Sequence, residues 1–294
     1  MAQTPKISRI EAVVNLASGG STAQDVEQMR GLLAAHGAHA NVQVAENGGE
    51  IERRLRSAVD AAPDLLVVLA GDGTARAAAD MAGPQGPMIA PLAGGTMNML
   101  PHAVYGAVPW QEALKGILED GEERAIGGGL VEGRSFLVAA ILGAPALWAP
   151  AREAVREGQF RLAFARMRRA WGRAFSGRLR YSLDGGPRGK AEALAFLCPL
   201  ASSALPNEAQ SLEAAVIDPQ TMAEAARIGF NALVDDWRND PAVSAGPCRQ
   251  ARIWAASRVP AVLDGEPVTL AASASVDWRP QVARLLAPRE EKAD

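Results

Sequence analysis

The chain has 294 residues, of which 48% are hydrophobic and 21% are charged, and its formal net charge is −3 at pH 7. This length exceeds the usual size of one hydrophobic core, so we expect two domains. A net charge this small excludes a general electrostatic attraction to nucleic acid. Two cysteines, Cys198 and Cys248, lie far apart and in no metal-ligand spacing, which excludes a disulfide framework and favours the cytoplasm.

The sequence predicts no segment that crosses a membrane. Met1–Ser8 is short and polar, and Glu11 follows before an apolar signal segment can develop. The longest apolar stretch, Phe136–Ala151, contains a glycine and two prolines and falls short of the roughly 20 residues that a spanning helix needs.

Strand and helix patterns alternate over about the first 125 residues. The predicted strands are Glu11–Leu16, Ala40–Val44 and Asp64–Ala70; the predicted helices are one that contains Val26 and ends at Gly37, and Ile51–Ala61. This alternation indicates a doubly wound parallel sheet with helices on both faces. Ligands bind such sheets beyond the carboxyl ends of the strands, so the loops at those ends are the candidates for function.

A β-rich pattern begins near residue 127. We expect a hairpin over Gly129–Leu142 that turns at Glu132–Arg134, and helices near 151–175 and over Thr221–Trp237. The other predicted strands are Arg178–Leu183, Ala193–Leu200, Leu212–Ile217, Arg252–Ser257 and Gln281–Leu286. The predicted division is therefore residues 1–126, a mostly antiparallel domain over 127–288 whose last strand can return to the first domain, and a tail over 289–294.

A glycine-rich loop, Gly71–Thr74 (GDGT), follows the apolar strand Asp64–Ala70 directly. Its two glycines allow close approach of a ligand and leave backbone N–H groups free for phosphate oxygens, and the following helix contributes its positive end. Asp72 is a candidate ligand of Mg²⁺. The alternative is an ordinary strand-to-helix turn, because Gly-Asp-Gly is common in turns.

Two further loops have the same character. Asn15–Gly20 (NLASGG) closes the first strand, and Pro91–Asn98 (PLAGGTMN) follows the short apolar run Met88–Ala90. Since the carboxyl ends of parallel strands share one edge, three small glycine-bearing loops there predict a nucleotide site.

A fourth candidate, Leu263–Pro267 (LDGEP), places the carboxylates Asp264 and Glu266 on either side of a glycine. Phosphoryl transfer to an alcohol uses a carboxylate that accepts the hydroxyl proton, and this tripeptide is the candidate for that role. The alternative is a plain Asp-Gly hairpin turn. The sequence does not decide which of the two carboxylates is the base.

Together these four segments resemble the diacylglycerol kinase catalytic-domain family, which includes sphingosine, ceramide and bacterial lipid kinases. The family's Gly-Gly-Asp-Gly-Thr loop is present with Ala70 at its first position, and its Pro-Leu-Gly-Thr loop is similar to Pro91–Asn98. Its Asn-Pro-x-Ser-Gly opening is kept loosely at Asn15, and its Asp-Gly-Glu tripeptide is intact. The stretch Leu212–Pro219 looks like a strand of the family's second domain.

The resemblance implies an α/β nucleotide domain, a β-sandwich lipid domain, and transfer of the γ-phosphate of ATP to a lipid hydroxyl with Mg²⁺. It places the catalytic roles on Asp72, Asp264 and Glu266. The implied nucleotide contacts are Asn15, Ser18, Gly19, Gly71, Asp72, Gly73, Thr74, Gly94, Gly95 and Thr96. The lipid stays open among diacylglycerol, ceramide, a sphingoid base and a monoacylglycerol.

Some positions depart from the family pattern. Arg76 and Ala77 stand where the family often has an Asn-Glu pair, and the threonine usual after the second strand is missing near Ala45–Glu46. Bacterial members hold a structural Mg²⁺ with an aspartate before the second-domain strand; only Glu208 could serve here. These departures suggest a divergent subgroup.

Two other functions stay open. NAD kinase shares the Gly-Asp-Gly loop, but its usual Asn-Glu substrate motif is not found. A catalytically silent lipid- or nucleotide-binding protein is favoured by Ala77 and by the incomplete second metal site.

An aromatic and basic segment lies at 160–175. Its apolar members recur at helical spacing: Phe160, Phe164, Met167, Trp171 and Phe175. The arginines around them include Arg161, Arg166, Arg169 and Arg173. The segment is either a core stripe with a solvated basic face or a helix that docks the protein peripherally on anionic membranes.

Overall fold

The computed structural model describes residues 5–143, 178–206, 208–221, 223–224, 227–228 and 237–289. The chain divides into two compact units. Met1–Gly127 and Pro280–Asp294 form the N-terminal unit, and Gly128–Arg279 forms the C-terminal unit.

The N-terminal unit contains a parallel sheet in the order β2-β1-β3-β4. Its strands are β1 Arg9–Asn15, β2 His39–Ala45, β3 Leu65–Ala70 and β4 Met88–Ala93. Its helices are α1 Ala23–His36, α2 Gly48–Asp60, α3 Asp72–Ala82, α4 Met99–Tyr105 and α5 Trp110–Asp120. All six residues of β3 are buried, as expected for a strand covered on both faces. The predicted strand and helix alternation is confirmed.

The two faces of this sheet are covered by different helices. Alternate residues of β1, such as Ile10 and Val14, form one core cluster with Met29 of α1 and Leu114 of α5. Helices α2 and α3 are not part of this cluster. Their buried residues are Leu55 and several alanines, and α2 contacts β1 while α3 contacts β3. Because successive side chains of a strand point to opposite faces, this arrangement makes the N-terminal unit doubly wound.

Helix α1 has the start and stop signals that its sequence contains. Thr22 accepts a hydrogen bond from the backbone of Asp25, and Asp25 accepts one from the backbone of Thr22, so the two form a capping box. The helix ends at Gly37, whose φ of +79° is left-handed and favours glycine. Met29 and Leu33 are fully buried.

The C-terminal unit is built from two antiparallel sheets. One has the order β12-β11-β10-β7-β14-β15, and the other includes β16-β13-β8-β9. The strands are β5 Gly121–Val131, β6 Arg134–Phe136, β7 Ala139–Gly143, β8 Leu179–Leu183, β9 Gly189–Ala191, β10 Ala193–Leu197, β11 Leu212–Ile217, β12 Val243–Cys248, β13 Gln250–Trp254, β14 Val259–Leu263, β15 Glu266–Leu270 and β16 Ser273–Pro288. One core cluster joins Phe196 and Leu142 from the first sheet with Ile253 and Val276 from the second. The predicted sandwich is therefore confirmed.

Strands β5 and β16 cross the division between the units. Residues 280–288 of β16 belong to the N-terminal unit, where Leu285 pairs in parallel with Ile89 of β4. The earlier part of β16 pairs with β13 in the C-terminal unit.

The predicted hairpin over 129–142 is correct only in its first half. Strands β5 and β6 pair around a turn at Glu132 and Gly133, both with positive φ. Residues from Leu137 onward leave this sheet, and β7 pairs with β10 and β14 in the other one.

The two predicted helices of this unit cannot be compared in full. The segment near 151–175 lies outside the described residues, and so does most of Thr221–Trp237. Within the described part of the chain, no helix combines the length and the apolarity that a membrane span needs.

Candidate nucleotide site and acidic turn

Three loops of the N-terminal unit meet at the carboxyl edge of its sheet. They follow β1, β3 and β4 and are called here the first, second and third loops: residues 15–21, 71–74 and 94–98. The chain passes from β1 outward to β2 and then returns to β3 on the other side of β1. The strand order therefore reverses between β1 and β3, and ligands of open α/β sheets bind at such a reversal.

The first loop is tied to both of the others. Asn15 ends β1; its side-chain oxygen accepts a hydrogen bond from Ala17 N at 3.1 Å, and its Nδ2 donates to Thr74 Oγ1 of the second loop at 3.3 Å. Ser18 Oγ lies within hydrogen-bond distance of Asn15 O and of Gly94 O in the third loop. These contacts place the first loop against the point where the strand order reverses.

The second loop begins helix α3. Asp72 is the first residue of that helix, and the N–H groups of Thr74 and Ala75 both donate to Gly71 O at 3.1 Å. Asp72 is buried, with 8% of its surface exposed. Its Oδ1 accepts a hydrogen bond of 2.9 Å from the backbone of Leu100, so this carboxylate also fixes the start of α4. Gly73 lies in the first turn of α3.

Close contact between the second and third loops requires glycine. A Cβ atom on Gly95 would lie 2.4 Å from Gly71 Cα, and one on Gly94 would lie 2.7 Å from Ala70 N. Both distances are to backbone, which cannot move aside without moving a strand end. The glycines predicted as phosphate contacts thus bring two loops together.

Asn98 and Gly20 lie in the predicted loops and help to hold them together, although neither is among the ten predicted contacts. Asn98 has a φ of +52°; its Oδ1 accepts from Gly95 N at 2.8 Å and its Nδ2 donates to Gly95 O at 3.0 Å. A Cβ on Gly20 would lie 2.8 Å from both carbonyl oxygens of Gly94 and Gly95. The signal for Asn98 was available, because asparagine is among the residues that tolerate a left-handed conformation. Nothing in the local sequence marks the contact of Gly20.

The other two predicted nucleotide contacts lie in the same loops. Gly19 has a φ of +80° and ends the short 3₁₀ turn Leu16–Ser18. Thr96 is exposed within the third loop. All ten predicted positions therefore lie in these three loops.

In the C-terminal unit, the tripeptide Asp264–Glu266 forms the turn between β14 and β15. Asp264 and Gly265 have φ values of +46° and +86°, and Leu263 pairs with Glu266 across the turn. The segment is therefore a tight Asp-Gly hairpin of the kind the sequence allowed.

Asp264 holds the start of another strand. Only 3% of its surface is exposed, and its carboxylate accepts backbone hydrogen bonds from Leu137 at 2.8 Å and from Val138 and Ala139 at 2.9 Å each. These residues carry the chain from one sheet of the sandwich to the other. The carboxylate of Asp264 therefore satisfies three backbone N–H groups at the point where the chain passes between the two sheets.

Two other groups complete this region. Glu266, the first residue of β15, is partly exposed, so it is more accessible than Asp264. Burial raises the pKa of the Cys198 thiol well above its usual value, and the negative charge of Asp264 raises it further. Cys198 is therefore a core residue and not a nucleophile.

The described residues contain no group of three or more His, Cys, Asp or Glu side chains that could hold a metal ion. Glu208 is exposed, and its role as a metal ligand stays a prediction. Mg²⁺ in kinase sites uses one or two carboxylates together with phosphates and water, and Asp72 has the chemistry for that.

The chain thus combines an α/β unit that has three glycine-bearing loops at its switch point with a sandwich unit that has an acidic turn. Residues 9–129 match the family model of the diacylglycerol kinase catalytic domain. This match confirms the resemblance that the loop motifs indicated. No protein with curated function matches the chain significantly.

Solved structures share the fold of the whole chain. A diacylglycerol kinase from Bacillus anthracis strain Sterne superposes with a TM-score of 0.70 at 15% identity, over 96% of this chain and 98% of that one. A second structure from the same strain, described as a candidate diacylglycerol kinase, has a TM-score of 0.74 at 16% identity over the same shares. At such low identity these similarities establish the fold.

Proposed function

We propose that this protein is an ATP-dependent lipid kinase that transfers the γ-phosphate to a hydroxyl group of a membrane lipid. The observation that carries the proposal is the mutual contact of three glycine-bearing loops at the reversal point of a parallel sheet. The family match over residues 9–129 supports kinase chemistry there.

The loop edge suits the phosphates of a nucleotide. At Gly20, Gly94 and Gly95 added side chains would collide with backbone, so the loop surfaces stay narrow and backbone N–H groups can face an anion. Helix α3 starts at this edge with its positive end. Asp72 would hold Mg²⁺, which supplies charge neutralisation on the phosphates during transfer.

The acidic turn suits the acceptor. Of its two carboxylates, we assign the proton-accepting role to Glu266, because its side chain is partly exposed while Asp264 is enclosed by three backbone donors. Asp264 then serves as the residue that fixes the turn. A carboxylate that accepts the hydroxyl proton as the new bond to phosphorus forms is the usual base in this chemistry.

A transfer assay tests the function and its rivals together. Labelled ATP with Mg²⁺ is supplied with NAD⁺ in one reaction and, in others, with diacylglycerol, ceramide, sphingosine or monoacylglycerol in detergent. Label in one of the lipids is the expected result. Label in NAD⁺ would instead identify the protein as an NAD kinase. ATP binding without any phosphate transfer would identify it as a catalytically silent binding protein.

A further inference from the structure

The sheet β16-β13-β8-β9 of the C-terminal unit has one face on the core and one face toward solvent. Paired residues of neighbouring strands point to the same face. Arg180 of β8 pairs with Lys190 of β9 and with Trp254 of β13. One step along the strands, Arg252 of β13 pairs with Ser182 and with Ser275.

These residues form a basic, solvent-facing surface. Arg180, Arg188, Lys190 and Arg252 are all exposed. None of the four forms an ion pair with another residue of the described part of the chain. We call these four side chains and Trp254 the basic sheet face. The opposite face carries Leu179, Ile253 and Val276, which belong to the core.

Acidic side chains near this face are already engaged. Asp277 lies one row beyond Arg252 and accepts hydrogen bonds from Gln250 at 2.9 Å and Ser275 at 3.0 Å. Asp184, in the turn after β8, accepts from the backbone of Arg249 and Gln250. Both carboxylates keep their negative charge, but neither forms an ion pair with the four cations in the described part of the chain, so the face retains an excess of positive charge toward solvent.

Trp254 is the aromatic member of the face. It is partly exposed, does not pack in the sandwich core, and has the guanidinium carbon of Arg188 at 5.1 Å from its ring centroid. A tryptophan beside arginines matches the interfacial region of a bilayer, where its ring lies at headgroup level. Binding of single-stranded nucleic acid uses a row of aromatic side chains, and the face offers one.

We propose that the basic sheet face binds the anionic surface of a lipid bilayer and so brings the enzyme to its substrate. The assignment of a membrane partner rests on the proposed lipid kinase function. Each basic side chain near an anionic surface contributes to binding over about a Debye length. Four cations on one face concentrate this attraction although the whole chain has a net charge of −3.

The test is sedimentation of the full-length protein with vesicles of phosphatidylcholine alone and of phosphatidylcholine with phosphatidylglycerol. The triple variant Arg180→Gln, Lys190→Gln, Arg252→Gln changes exposed side chains only. We expect its partition onto the anionic vesicles to fall by roughly 10²-fold, and its residual binding to depend less on salt. Trp254→Ala should weaken binding to the same vesicles to a smaller extent.

The matched control is Arg30→Gln, Arg53→Gln, Lys115→Gln. These three side chains are exposed on helices of the N-terminal unit, and the change in net charge is identical. We expect the control to bind vesicles like wild type. Three results would overturn the proposal. The first is an equal loss of vesicle binding in both triple variants, and the second is a loss of vesicle binding only when Arg166, Arg169 and Arg173 are replaced. The third is tighter binding of wild type to a single-stranded oligonucleotide than to anionic vesicles.

Transfer to detergent-dispersed lipid separates this proposal from the lipid kinase proposal. The triple variant should keep wild-type transfer to dispersed substrate, because it leaves the loops and the acidic turn intact. If wild type sediments with anionic vesicles but phosphorylates no lipid, the kinase proposal fails while the membrane surface stands. If wild type transfers phosphate to dispersed lipid but does not bind vesicles, the membrane-surface proposal fails while the kinase proposal stands.

Discussion

At the loop edge of the N-terminal unit, backbone lies directly against backbone, and the contact exists because side chains are missing. Gly95 and Gly71 approach so closely that a Cβ on the former would lie 2.4 Å from the latter's Cα. At the acidic turn of the C-terminal unit the opposite holds, because the carboxylate of Asp264 receives three backbone hydrogen bonds. The loop edge therefore has no room for added side-chain atoms, whereas the acidic turn is held together by the side-chain carboxylate of Asp264.

This contrast predicts different failures. A side chain added at the loop edge should separate the loops and remove the proposed phosphate site, while the sheet beneath stays paired. A charge removed at the acidic turn leaves backbone donors without an acceptor, which costs stability before it affects chemistry. Mutations whose effects on nucleotide binding, phosphate transfer and stability are measured separately therefore distinguish the two regions.

The largest effect is expected from Gly95→Ala. The added methyl group collides with the backbone of Gly71, so we expect neither ATP binding nor transfer, as measured by calorimetry and by the labelled-ATP assay. The matched control is Gly31→Ala in α1, where a Cβ meets no atom within 4 Å. It should keep full activity and gain about 1 kcal/mol of stability, since alanine is the better helix former. Normal ATP binding by Gly95→Ala would mean that the phosphates of ATP do not lie at these loops.

Asp72→Asn comes next in size. The amide oxygen of asparagine can still accept the N–H of Leu100, so the start of α4 should stay in place. Loss of the charge should lower turnover by about 10²- to 10³-fold, the usual size of a lost electrostatic contact at the reacting group. Steady-state transfer at saturating ATP and Mg²⁺ measures this, with Asp80→Asn, exposed on the same helix, as the control. Near wild-type turnover would assign Asp72 a purely structural role.

Replacing the two carboxylates of the acidic turn one at a time should affect different properties of the protein. Glu266→Gln should keep its unfolding free energy and ATP affinity but lose transfer by about 10²-fold, as expected for a general base. Asp264→Asn should lose about 1–3 kcal/mol in urea unfolding, because one backbone donor then faces the side-chain NH₂ group. If Asp264→Asn kept its stability and lost only transfer, the two assignments would be reversed.

Labelling of Cys198 gives an independent measure of the same turn. This thiol is fully buried, and its raised pKa leaves almost no thiolate near neutral pH. Iodoacetamide should therefore modify it only when the sandwich opens, and more rapidly in Asp264→Asn than in Glu266→Gln. Mass spectrometry of the peptide that contains Cys198 measures the rates; equal rates would contradict the anchoring role of Asp264.

The smallest effect is expected from Ser18→Ala. The hydroxyl of Ser18 joins the first loop to Gly94 O, and one neutral hydrogen bond contributes about 1 kcal/mol. We expect the Kd for ATP to rise by about fivefold, measured by calorimetry. Ser57→Ala, on the exposed side of α2, should leave it unchanged. A loss as large as that of Gly95→Ala would mean that side-chain contacts hold the loops together.

The sequence predicts most of the N-terminal unit, because β1, β3 and β4 are short apolar runs that end in glycine-bearing loops. Asp64–Ala70 was predicted as a strand and the structure has Leu65–Ala70. The helix Trp110–Asp120 was missed, although its buried face carries Trp110, Leu114 and Ile117 at helical spacing. This helix therefore has a sequence signal of its own, because its buried residues recur every three or four positions.

The C-terminal unit was less predictable for a physical reason. Val243–Cys248 is mostly exposed and contains a glycine and a proline, so no apolar alternation marks it as a strand. It forms because β11 offers a register of partners from Leu212 to Ile217. The exchange of sheets after Phe136 was equally hidden, since it depends on Asp264, more than a hundred residues away in the sequence.

The proposed position of the ATP phosphates at the three loops is tested most directly by titration calorimetry of three proteins with ATP and Mg²⁺. Wild type and Glu266→Gln should bind with the same Kd, because we propose that the acidic turn serves the acceptor and that the loop edge serves the nucleotide. Gly95→Ala should show no binding. If Gly95→Ala binds ATP as wild type does, or if Glu266→Gln loses binding, then the phosphates do not lie at the three loops.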